Sequence, residues 1–109
     1  MAYDEGLAER LRDLFVDRPG ISEKKMFGGL AFMYRGYMLV GIIGDSLMAR
    51  VGPAEYADAV KHPHVREMDF TGKPMKGYVY VDPAGIELDS DLNKWVGCCI
   101  RFNESLPPK

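Results

Sequence analysis

The chain has 109 residues, 47% hydrophobic and 28% charged, the balance of a globular domain and not of a disordered tract. A formal net charge of -2 and a pI near 5.6 argue against whole-surface attraction to nucleic acid or anionic membrane. No run approaches the roughly 18 consecutive apolar residues of a membrane helix, and the opening MAYDEGLAER lacks the marks of a secretory signal. A single cytoplasmic domain over residues 1–109 is therefore expected, with a tail that frays from about residue 104.

Residues 4–18 put Leu7, Leu11, Leu14 and Phe15 on one helical face, with Asp4 as a cap and Arg18-Pro19-Gly20 as the stop. From Ile21 to Val51 the pattern turns to short β-type runs, KKMFGG, LAFMY, YMLVGII and SLMARV, with turn signals at Arg35-Gly36 and Gly44-Asp45. The connections are too short for a crossover helix, so the strands are expected to form an antiparallel meander. Gly52-Pro53 then opens a second helix with Tyr56, Ala57 and Val60 as its apolar stripe.

After His62-Pro63, a strand at 66–70, a loop TGKPMKG and a strand from Tyr78 read as a second β pair. A third helix over about 89–102 presents Leu92, Trp95, Val96, Cys99 and Phe102 or Asn103 at helical spacing. The fold class predicted is α+β in the order α-β(3-4)-α-β(2)-α.

The chemistry-bearing residues give no catalytic constellation. In KKMFGGLAF the lysines precede the glycines and β-type sequence follows, whereas a phosphate loop needs Lys after the glycines and then a helix. Gly28-Gly29 is better read as a bulge or a close approach of another backbone. His62 and His64 flank a proline with no ligand at metal spacing, and read as loop histidines. Adjacent Cys98 and Cys99 cannot form an unstrained bridge; Cys99 reads as a core residue and Cys98 as partly exposed. No serine sits in a nucleophile-elbow sequence, and no carboxylate pair stands out as an acid/base couple. No cofactor or metal is therefore assigned.

Charge is uneven along the chain. From Lys24 to Arg50 there are four basic residues and one acid, while Asp82 to Glu104 holds five acids and two bases. Lys24, Lys25, Lys73 and Lys76, with Met75 and Tyr78 beside them, are the candidate partner or anion surface, provided that they meet on one rim. Six internal methionines, Met26, Met33, Met38, Met48, Met68 and Met75, lie in or beside the strands. As core filling they are ordinary; exposed with Tyr34, Tyr37, Tyr78 and Tyr80 they would make an adaptable docking face.

The strings MFGG, RVGP and MDFTGKPMKG, in that order and followed by LNKWV and SLPPK, resemble the TfoX N-terminal domain family from about Lys25 to the end of the chain. The resemblance implies a two-layer fold, helices on an antiparallel sheet, akin to the type III secretion chaperone shape. It also implies a regulatory role: the best-known members are regulators of natural competence that act with the cyclic-AMP receptor protein, and the family offers no established catalytic residues. The expected function is a protein-interaction module of transcription or competence regulation, docking on another protein and forming a homodimer, and not an enzyme. The alternative is a small-ligand or anion-binding protein with a site near the two glycine-rich stretches. Direct nucleic-acid binding is not expected, because no basic helix supplies clustered phosphate contacts.

Overall fold

The computed structural model describes residues 3–26, 28–70 and 73–107. Helix α1 (Glu5–Leu14) begins where the Asp4 carboxylate accepts from the Gly6 and Leu7 amides at 2.9 and 3.4 Å, and it buries Leu7, Ala8 and Leu11. Leu14, expected in the core, is 37% exposed. The helix ends there, and Phe15 turns inward in its place to meet the Phe32 ring at 5.6 Å.

Four strands follow as the predicted meander: β1 (Ile21–Met26), β2 (Gly29–Tyr34), β3 (Tyr37–Ile43) and β4 (Ser46–Arg50). The β2–β3 turn is Arg35-Gly36, both at positive φ (58° and 84°), the handedness that lets a two-residue hairpin follow the strand twist. Helix α2 (Pro53–Ala59) then carries the chain to β5 (Val65–Phe70) and β6 (Lys73–Val81), and a 3-10 turn at Pro83–Gly85 leads to α3 (Asp89–Ser105). In α2 it is Ala59 that is buried; Ala57, expected on the stripe, is exposed.

The strands form one antiparallel sheet of order β1-β2-β3-β4-β6-β5. Residues directly opposite each other share a face. Two rows of buried side chains therefore cross one face, Leu30, Ile42, Leu47 and Val81 in the first and Phe32, Val40, Ala49 and Val79 in the second. These rows join the buried residues of all three helices in one core. The opposite face carries the row Lys24, Ala31, Gly41, Met48, Tyr80 and Arg66, with Met33 opposite Met38 and Arg50 opposite Tyr78. None of these belongs to the helix-packed core. The fold is thus α+β in two layers; the other sheet face, termed the open face, lies outside the helix-packed core, although Ala31 and Met48 on it are buried.

Glycine makes two close approaches possible within that sheet. A Cβ at Gly29 would fall on the Ile42 carbonyl, and at Gly41 the Met48 methyl takes the space a side chain would fill. This is the close approach read from the Gly-Gly pair. A bulge interrupts the β2–β3 register between Phe32 and Met33.

The stretch expected as a TGKPMKG loop is largely strand. Asp69 pairs with Pro74 and Phe70 with Lys73, so strand pairing extends to both sides of residues 71–72, which lie outside the described residues. Proline is tolerated at 74 because pairing with β4 stops at Tyr78, leaving that stretch of β6 with β5 as its one paired neighbour. Residues 104–107, expected to fray, are held: α3 runs to Ser105, and the Leu106 and Pro107 carbonyls accept from Arg35 and Tyr37 at 3.1 and 2.7 Å.

Candidate functional site

The candidate lysines do not meet on one rim. Lys24 pairs with Ala31 and belongs to the open face, whereas Lys25 pairs with Leu30 and belongs to the helix side, both exposed. Lys73, Met75 and Lys76 have their backbone in β6, and their side chains lie outside the described residues, as do those of Met26 and Met68. Since β1 is four strand spacings from β6, about 19 Å at the usual separation, the two lysine pairs are distinct places. Tyr78 is half-buried on the open face opposite Arg50.

Around Arg50 the open face meets the end of α3. The guanidinium carbon lies 5.3 Å from the Tyr78 ring centre, 5.7 Å from Tyr37 and 5.4 Å from Phe102 of α3. Phe102 comes this close because the chain at Gly52 has no side chain; a Cβ there would collide with its ring. Further along the same face Arg66 stacks on Tyr80 at 5.1 Å and donates to Asp82 at 2.9 Å. That pairing holds the Asp82 carboxyl below the ordinary carboxylate range. Met33 and Met38 are half-buried here, and Met48 lies flat over Gly41 and is fully buried.

A second place lies on the helix side, a cleft of about 290 Å³ between α2, the His62-Pro63-His64 loop and α3. Its α3 wall carries Lys94, Cys98 and Arg101 at positions one and two turns apart, with Asp91 at the start of the helix, and its α2 wall carries Glu55 and Asp58. Trp95 closes one side, its ring meeting His62 edge-on at 5.4 Å. The loop histidines thus border a cleft, although among the described residues no three His, Cys, Asp or Glu stand close enough to hold a metal ion. Burial pushes the Cys98 thiol above its ordinary value, and that of fully buried Cys99 much further, the direction that disfavours a thiolate.

Sequence reasoning placed Tyr78 in the site but missed Arg50, its partner across the ladder. The signal was weak: Arg50 looked like the polar half of an alternating strand, and the aromatic groups around it come from β3, β6 and α3. The cleft gave no signal, since its lining comes from three separated segments.

The family model of the TfoX N-terminal domain matches residues 13–103. No curated protein and no solved structure matches the chain.

Proposed function

The chain belongs to the TfoX N-terminal domain family, and from that membership we propose a regulatory module, in the setting of transcription and natural competence, that docks on another protein through the open face of its sheet. The observation that carries this reading is the one-sided fold: all three helices pack on one face, while the other presents Met33, Met38, Tyr78, Tyr80 and Arg50. Aromatic residues, methionine and arginine are the types enriched at protein interfaces. Among the residues whose side chains are described, the strands of that face carry Lys24, Arg50 and Arg66 and no carboxylate, Arg66 being matched by Asp82 at the end of its neighbour. The occupant proposed is therefore a protein with an acidic contact surface.

The test is affinity capture at several salt concentrations with the wild-type chain, a Met33→Glu, Met38→Glu variant and a Lys94→Glu variant in the cleft, each shown to melt cooperatively. A protein captured by wild type and by Lys94→Glu, lost by the double variant and weakened by salt is the expected result; undiminished capture by the double variant sinks the reading. Sedimentation of the same samples reports whether a second copy is the occupant instead.

The α2–α3 cleft favours a second reading, a small-ligand site, because it brings an aromatic wall and opposed charged walls around a volume near that of small-molecule pockets. Capture that depends on Lys94 and not on the open face would move this reading forward.

A further inference from the structure

Of the seven arginines, Arg10, Arg12, Arg18, Arg35 and Arg66 each donate to oxygen atoms of carboxylates, carbonyls or hydroxyls, and Arg101 is exposed on α3. Arg50 is half-buried and surrounded by three rings, yet among the described residues its guanidinium makes no hydrogen bond and no ion pair. The rings attract the cation through their faces and offer it no in-plane lone pair. A planar fork of N–H donors is thus held in position by the rings, with no acceptor among the described residues.

The backbone amides nearby do not compete for an incoming acceptor. Those of Val51 and Gly52 both donate to the Gly77 carbonyl, at 2.8 and 3.1 Å. Nor does a carboxylate of the described residues lie within ion-pair distance of Arg50. We propose that Arg50 is a preformed receptor for one oxyanion, a carboxylate or a phosphate, bound by the guanidinium fork between Tyr37, Tyr78 and Phe102. A planar bidentate donor suits both anions, and the rings supply the preorganisation that a free arginine lacks. The inference does not need the docking reading: an anion site at Arg50 can exist with or without a protein partner on the open face.

The test is NMR of the full chain titrated with sodium acetate and, separately, with sodium phosphate, against sodium chloride at matched ionic strength. The expected result is a saturating shift of the Arg50 Nε–H and Tyr78 ring signals with acetate, phosphate or both, and none with chloride. Acetate alone identifies a carboxylate ligand such as an acidic side chain, phosphate alone a phosphoryl group. In Arg50→Lys, which keeps the charge and loses the fork, binding read at the Tyr78 ring weakens by about tenfold, the loss of a charged hydrogen bond.

Should that variant not fold, Tyr78→Leu read at the Arg50 Nε–H serves in its place, with weaker binding expected. No shift beyond chloride, or equal affinity in the variant that is read, overturns the proposal. Partner capture that persists in either case leaves the docking reading standing and removes only this site.

Discussion

Gly29 and Gly97 show how one residue type answers to two environments. At Gly29 the obstacle to a side chain is the Ile42 carbonyl, a backbone group that cannot swing away. Gly29→Ala is expected to destabilise the fold by about 3 kcal/mol, the upper range for overpacking. At Gly97, in the middle of α3, an added methyl meets only the Arg101 side chain at 3.7 Å, so Gly97→Ala is expected to stabilise by about 0.5–1 kcal/mol through helix propensity. Urea denaturation of both variants checks the opposite signs; a neutral Gly29→Ala would show that β2 and β3 do not approach as closely as described. The Gly-Gly pair announced a close approach in the sequence, because no helix followed it. Which glycine bears the contact was not readable, since that depends on the register of β3, whose Ile42 lies thirteen residues further on. Lys24 and Lys25 failed as a pair for a related reason: neighbours in a strand point to opposite faces.

Helix α1 and strand β1 are tied by Arg12, whose Nε and Nη2 donate to the two Glu23 oxygens at 2.8 and 2.9 Å while its Nη1 reaches Glu9. The Arg12 hydrogen bonds hold the Glu23 carboxyl below its ordinary value. A depressed folded-state pKa gives stability that is present above the unfolded value, about 4.3, and lost as the pH falls through the folded one. Glu23→Gln is therefore expected to melt below wild type at pH 7, with the gap closing in acid below about pH 4.3; thermal melts across that range check it, and a gap independent of pH would contradict the pairing. Most elements were legible from start and stop residues, Asp4 before α1 and Pro53 at the head of α2. The β5–β6 hairpin was less so, because Gly, Pro and Lys at 72–77 have the composition of a loop. Strand pairing with β5 overrides that local preference.

At the scale of the whole molecule, the two-layer arrangement was what the family resemblance implied, whereas the insertion of β6 between β4 and β5 was not foreseen. Four hydrophobic strands can be ordered by short turns, but a hairpin that arrives after a helix can join either edge. The α2–α3 cleft was illegible for the same reason, its residues meeting only when the chain has returned twice to one side of the sheet. Among the described residues no helix is long and apolar enough to cross a membrane. The layering predicts how the molecule opens: amides of β3, β4 and the 79–81 segment of β6 should exchange slowest, and outward amides of edge strands β1 and β5 fastest. Hydrogen-exchange mass spectrometry measures this directly, and early exchange in β3 would mean that the core is not shared by all three helices.

The β2–β3 turn and the end of α3 are joined by a latch whose members lie far apart in the chain. Arg35 donates to the Asn103 carbonyl at 2.6 Å, and the buried Asn103 side chain donates back to the Tyr34 carbonyl at 3.1 Å, a separation of 69 residues. During synthesis, β2 and β3 leave the ribosome with that turn unattended, and the latch can close only once residue 103 has cleared the exit tunnel. Until then the Tyr34 carbonyl lacks its Asn103 partner, so this latch is among the last native contacts that synthesis makes available.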